Sequence, residues 1–322
     1  MRIRPLIFPP SLPSDEAIKS WNQTHHNYDP EFWEFEYESY RYLERVSSDL
    51  LEKRYLDIIR NIVRIVSRER DVIPINSFLS SWYWYRKEHQ TRLEFYLRGV
   101  TPPIRPPEWI PNNDGVDAPA RLRCPNYGDV LFRFGKSQYM LPFFHRGSVR
   151  IGPASQYMLG MPGDPRTDDE PKKHSFLPGK NAKVTAESGK DIPVVGDIRL
   201  TVTSHNYFVL CMSCGYHKEL FNDFNADTCV VILNHEVFVE RLSEAAKSLL
   251  PNWYFSHLPI QYFDPYNIGK NELLNPLMSK NFSFAYQMEY RFIWFSKEDL
   301  QADKYIFLEL GSIEQIGLLH RI

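Results

Sequence analysis

The chain has 322 residues, with 38 Lys and Arg against 40 Asp and Glu, a net charge of -2, and 43% hydrophobic residues including 15% aromatic ones. So even a balance excludes a polybasic nucleic-acid binder working through bulk charge, though not a local basic groove, and the apolar content excludes a disordered chain. At about 150 residues per domain the length predicts two domains.

Four cysteines, Cys124, Cys211, Cys214 and Cys229, make no disulfide framework. The segment from Met1 to Pro10 holds no apolar stretch of signal-peptide length, and no run approaches the ~20 apolar residues of a membrane span. These features predict a cytoplasmic protein in a reducing setting, without a membrane partner.

Residues 31 to 98 read as helical. From Tyr40 onward Leu43, Val46, Leu50, Ile58, Ile62 and Ile65 recur near helical spacing. A second amphipathic helix is predicted from Ser77 to Arg98, carrying Trp82-Tyr83-Trp84-Tyr85 and then Arg86, Lys87 and Arg92. Cations beside rings on one helix can hold single-stranded nucleic acid through phosphates and stacking. The competing expectation is a helix whose rings pack on a second domain.

Seven of the 24 prolines then fall between residues 102 and 125. Proline lacks a backbone donor and disfavours helix in the residue before it. This stretch predicts an extended strap, with a helical domain at 1–125 and a second domain at 126–322. The second domain reads as strands at 129–134, 148–151, 198–203, 207–212, 228–233, 259–263, 284–295 and 305–310. Helices are expected at 137–146 and 236–250, and a long excursion at 159–197. Strands with irregular helical interruptions predict an α+β fold.

In the strand 284–295 side chains should alternate. One face would carry Tyr286, Met288, Tyr290, Phe292 and Trp294, and the other Gln287, Glu289 and Arg291. The polar row is either a solvent-facing edge or the lining of a cleft.

Gln287-x-Glu289 resembles the Gln-x-Glu motif of the ADP-ribosyltransferase superfamily, whose members split NAD and pass ADP-ribose to an acceptor. The order Arg133 in Phe132-Arg133-Phe134, Ser213 at the end of Leu210-Cys211-Met212-Ser213, then Glu289 is similar to its Arg-Ser-Glu branch. The usual Ser-Thr-Ser triplet is absent. A wider likeness spans residues 128 to 296, carried by His145-Arg146-Gly147-Ser148-Val149-Arg150-Ile151, Pro153-Ala154-Ser155-Gln156-Tyr157, Asp168-Asp169-Glu170 and Leu220-Phe221-Asn222-Asp223-Phe224. It resembles a bacterial defence-associated toxin family related to DarT-type ADP-ribosyltransferases.

The resemblance implies a split mixed sheet and NAD as substrate. It implies Glu289 as the catalytic carboxylate and Gln287 as the group that orients the acceptor. Arg133 is implied for the pyrophosphate, Ser213 for the ribose or for support of the glutamate, Arg150 for the phosphates, and Tyr157 or Tyr207 for stacking on nicotinamide. It further implies a nucleobase acceptor, RNA ahead of single-stranded DNA, in an anti-phage toxin–antitoxin system where an antitoxin or chaperone docks on the helical region.

Two metal readings compete. Cys211-x2-Cys214-x2-His217 is half a zinc site, with Cys229 further on. Asp168-Asp169-Glu170 would suit a metal-dependent nuclease, although consecutive loop residues converge poorly, and the neighbouring Lys172 and Lys173 predict a solvated charge cluster. A binding module without catalysis is the third class. No Walker A loop and no G-x-G-x-x-G run is present.

Overall fold

The computed structural model describes residues 29–65, 81–104, 130–159, 170–216, 219–266, 274–297, 302 and 304–322. The predicted strap beyond residue 104 and the domain boundary at 125 lie outside them.

Helix α1 (Pro30–Tyr40) starts where the Asp29 carboxylate accepts the Phe32 N–H at 2.9 Å, with Pro30 in the first turn, where a missing donor costs nothing. Helix α2 (Ser48–Ile65) turns Ile58 and Ile62 into a core shared with Trp33 of α1 and with Trp84 of α3 (Ser81–Leu97). Leu50, counted in the apolar spacing, is exposed, and its neighbour Leu51 takes the buried place.

Helix α3 corrects a further expectation. It is not an amphipathic surface helix but is buried around its circumference: Trp84, Tyr85, Leu93 and Phe95 are inside, and so are Lys87, Glu88, His89, Gln90, Thr91 and Glu94. It can bury charge because its neighbours supply partners. Glu94 accepts from the Tyr37 hydroxyl at 2.5 Å, from Arg41 at 3.0 Å and from Arg98 at 2.6 Å.

The remainder is strand-rich. In chain order come β1 (Leu131–Gly135), α4 (Ser137–Arg146), β2 (Ser148–Pro153), a 3-10 turn (Ala154–Leu159), β3 (Lys172–Leu177), β4 (Val184–Thr185), β5 (Asp191–Ile192), β6 (Ile198–Thr203) and β7 (Phe208–Ser213). Then follow α5 (Glu219–Asp223), β8 (Thr228–Ile232), α6 (His235–Lys247), β9 (Tyr254–Pro259), β10 (Gln261–Phe263), β11 (Ser279–Asn281), a second 3-10 turn (Phe282–Gln287), β12 (Glu289–Phe295), β13 (Ile306–Glu309) and β14 (Gly317–Arg321). The expected excursion thus contains a strand, β3, paired along its whole length with β6.

The fold is α+β, built on an eight-stranded sheet. Its described pairings are all antiparallel rather than mixed, and parallel pairing is confined to β10 with β11. β9, β12 and β7 run side by side. The far edge of β7 is then divided: β2 and β13 continue from its Phe208 end, while β1, β8 and β14 continue from its Ser213 end.

One core packs Leu131, Leu210, Met212, Val230, Ile232, Phe292 and Trp294 against Met140 and Phe143 of α4 and Phe238 and Leu242 of α6. Helix α4 can turn directly into β2 because Gly147 closes it with φ 73°, lying so near the Gly311 backbone that a side chain would collide.

The helices are fastened to this unit by a buried ion cluster. Asp264, just past β10, accepts a two-pronged bond from Arg54 of α2 at 2.7 and 2.8 Å, and an ammonium contact from Lys87 of α3 at 2.9 Å. All three side chains are 2–3% exposed. The surplus positive charge faces rings, with the Arg54 guanidinium 5.0 Å above Phe282 and the Lys87 ammonium 5.1 Å from Tyr42. Trp84 stacks on Phe282 at 5.7 Å beside it, adding roughly 1 kcal/mol beyond the area it buries.

Breaking one member of a buried charge group leaves the others uncompensated. Asp264→Ala is therefore expected to cost about 3–5 kcal/mol in urea unfolding; a loss under about 1 kcal/mol, as for a surface pair, would contradict the clamp.

Candidate functional site

Three strands bring the predicted residues to one level. Glu289, the first residue of β12, lies opposite Ser213 of β7, which in turn lies opposite Phe132 of β1. Arg133 is the next residue along. Here the divided edge of β7 opens: it pairs with β2 up to Val209 and with β1 only at Ser213. Arg133 reaches into that gap and donates to the Cys211 carbonyl at 2.7 Å.

Gln287 arrives differently from the alternation argument. Residues 282–287 are a 3-10 turn, Met288 is left-handed at φ 48°, and the strand begins only at Glu289. The turn forms here because its backbone groups find side-chain partners. The Asn281 side chain accepts from the Ser283 N–H at 3.0 Å. Asn61, fully buried on α2, accepts from the Tyr286 N–H at 2.8 Å and donates towards the Phe282 and Ser283 carbonyls. The Gln287 and Glu289 side chains nevertheless converge, because Lys280 of β11 stands between them. Its ammonium donates to Glu289 Oε2 at 2.6 Å and to Gln287 Oε1 at 3.1 Å.

The second oxygen of Glu289 accepts from Arg291 Nε. Arg291 is fully buried and continues to Glu170 at 2.7 Å and to the Tyr207 hydroxyl at 3.4 Å. Lys173 stands 3.6 Å from Glu170. The Glu289 N–H donates to the Tyr262 hydroxyl at 2.8 Å, which fixes the start of the strand. Burial pushes the Glu289 carboxyl up, but the charges of Arg291 and Lys280 outweigh it, so the carboxyl stays well below the usual range. Glu289 is an ionised carboxylate held from two sides.

Tyr207 and Tyr157 both belong to this neighbourhood. Tyr157 packs with Cys211, Tyr207, Val209 and Ile293. Burial, followed by the nearby Cys211, pushes its hydroxyl well above the usual phenol range. Ser213 is at the predicted level, but its hydroxyl donates to the Gln287 carbonyl at 2.7 Å, so it supports the turn behind the glutamate. Arg150 is not brought to this group: it is exposed on β2, 4.1 Å over the Tyr305 ring.

The helical cations stand elsewhere as well. Lys87 is bound to Asp264, Arg86 pairs with Glu36 at 2.8 Å, and Arg92 lies 3.6 Å from Glu88. Lys87, at 3% exposed, is withdrawn from any phosphate.

Glu170 and Lys173 correct the solvated-cluster expectation, since both are buried, with Glu170 paired to Arg291 and Lys173 paired to Glu170. Asp168, Asp169 and His217 lie outside the described residues. Cys211, Cys214 and Cys229 belong to three separate hydrophobic clusters, and among the described residues no three His, Cys, Asp or Glu side chains converge on a metal position. No described helix is long and apolar enough to cross a membrane.

Sequence reasoning missed Lys280, Tyr262 and Asn61. Each is a single polar residue in an unremarkable stretch, and only the pairing of β10 with β11 and the packing of α2 on the 282–287 turn bring them to the site. A buried lysine beside a capping asparagine, Lys280-Asn281, carries no local signature. No protein-family model, curated protein or solved structure matches the chain.

The electrostatics predict an acid-sensitive fold. Asp264, like Glu289, is held below the usual carboxylate range, because Arg54 and Lys87 outweigh the effect of its burial. With unfolded values near 4, both groups stabilise the fold fully at neutral pH, and that contribution is lost as pH falls from about 5 through 4 and below. The melting temperature should drop steeply in that window. Glu289→Gln should flatten the drop, and an unchanged pH dependence in that variant would refute the assignment.

Proposed function

We propose that the protein is an NAD-dependent mono-ADP-ribosyltransferase acting on a nucleobase, RNA ahead of single-stranded DNA. The observation that carries this reading is the placement of Glu289 of β12 opposite Ser213 of β7, with Arg133 one residue beyond Ser213's partner Phe132 on β1 and reaching the Cys211 carbonyl where the sheet divides. It agrees with the Arg-Ser-Glu order and the Gln-x-Glu spacing.

In this reaction the bond between the ribose C1′ and the nicotinamide nitrogen breaks. Nicotinamide leaves as a neutral molecule with the bonding electrons, and positive charge develops on the ribose. A fixed carboxylate beside the sugar stabilises that charge and accepts from a ribose hydroxyl. Glu289 is suited to this because it stays ionised without needing a base to deprotonate it. The acceptor nitrogen of a base then bonds to C1′ and releases its proton to solvent.

The Arg133 guanidinium, anchored at the divided edge, is the fixed cation for the pyrophosphate. Tyr157 or Tyr207 supplies a ring face for nicotinamide. Ser213 serves through Gln287, by holding the turn. The likeness to defence toxins supports an anti-phage toxin–antitoxin setting, with an antitoxin or chaperone as the restraining partner.

Labelled NAD, incubated with the purified chain and separate RNA, single-stranded DNA and protein fractions, should label a nucleic-acid fraction and release nicotinamide. Glu289→Gln should slow release about 100-fold or more, the size of loss seen when a group that stabilises transition-state charge is removed. Wild-type protein that leaves NAD intact rules the reading out.

A further inference from the structure

Lys280 touches both members of the Gln287–Glu289 pair. Its side chain is about as deeply buried as theirs, and its ammonium lies 4.8 Å from the Phe284 ring. An ammonium only donates hydrogen bonds. Facing Gln287, it therefore accepts one orientation of the carboxamide, with Oε1 towards it. The flipped amide would set an NH2 group against a buried positive charge, and the ammonium would lose an acceptor it cannot replace with water. The carboxamide's Nε2 edge is turned away from the ammonium, and donates to the Tyr286 hydroxyl at 3.5 Å.

We infer that Lys280 is a positioning residue of the transferase: it locks the Gln287 carboxamide so that the Nε2 donor edge meets the acceptor, which is recognised through a lone pair on a ring nitrogen or carbonyl oxygen beside the nitrogen that is modified. This rests on the transferase reading. It goes further by assigning a residue outside the resemblance and by giving Gln287 the role of donor, not acceptor, towards the base. The same ammonium holds Glu289 Oε2, while Arg291 independently holds Oε1. Loss of Lys280 therefore strikes the acceptor side harder than the sugar side.

The test uses the full chain with labelled NAD, total RNA and a single-stranded DNA oligonucleotide, reading nicotinamide release and nucleic-acid labelling together. Lys280→Met is expected to reduce labelling about tenfold more than it reduces release, the scale of one charge-assisted hydrogen bond. Lys280→Arg, which keeps a buried donor, should recover most of the labelling and guards against a folding defect in the first variant. Gln287→Glu keeps a partner for the ammonium but removes the donor edge, so it should lose labelling as Gln287→Leu does. Adding Lys280→Met to Gln287→Leu should cause no further loss of labelling relative to release.

Equal loss of labelling and release in Lys280→Met overturns the inference, as does wild-type-like labelling by Gln287→Glu or a multiplicative loss in the double variant. Failure of the wild type to release nicotinamide is a separate outcome: it removes the transferase reading, and this assignment with it.

Discussion

The buried carboxylate of Asp264 is the constraint on which the rest of the arrangement depends. It sits directly after β10, and it is gripped by α2 through Arg54 and by α3 through Lys87. Taking three charges out of water is costly, and the cost is offset only while all three keep their geometry. The position of β10 relative to the helices is therefore sharply defined. β10 pairs with β11, which places Tyr262 beside Lys280 in the register. Those two residues then reach Glu289, one through its backbone N–H and the other through its carboxylate. The helical layer and the candidate site are linked by a short chain of hard, directional contacts rather than by apolar packing alone.

The site repeats the same physics with more members. Glu289, Arg291, Glu170, Lys173 and Lys280 are all buried, and each contacts a partner of opposite charge. Within such a group no charge can move without leaving another unpaired, so the carboxylate of Glu289 is oriented before any ligand arrives. For a reaction that develops positive charge on a sugar, a preset carboxylate needs no reorganisation as that charge appears. Cys211 contributes in another way. Its carbonyl, on the divided edge of β7, is met by the Arg133 side chain where a strand would otherwise supply a donor.

Much of this was legible in the residues, for local reasons. The strand Leu131–Gly135, the helix Ser137–Arg146 and the apolar side of β12 all follow from patterns within a few positions. The antiparallel sheet and the burial of α3 were not legible, because both depend on partners far away in the chain. Lys87 looks like a surface cation until Asp264, 177 residues on, is brought to it. Glu170 and Lys173 look solvated for the same reason, until Arg291 reaches Glu170 and Lys173 pairs with the same carboxylate. Gln287 and Glu289 do meet, as the spacing suggested, but through a lysine and a turn rather than by alternation.

That last difference matters for how the two residues are controlled. Met288, in the left-handed region, separates a 3-10 turn from a strand, so Gln287 and Glu289 answer to different parts of the molecule. Glu289 is set by the sheet: its place opposite Ser213, its neighbour Arg291 and the hydroxyl of Tyr262 all fix it. Gln287 is set by the turn, which hangs on Asn61 of α2 and on the Ser213 hydroxyl. A disturbance of the helical layer, such as a partner bound to α1 or α2, would therefore reach Gln287 through the turn held by Asn61, and Glu289 through Tyr262 and Lys280. In a transferase this separates the group that chooses the acceptor from the group that breaks the glycosidic bond. On the proposed transferase reading, the turn held by Asn61 gives the helical layer a route to the choice of acceptor.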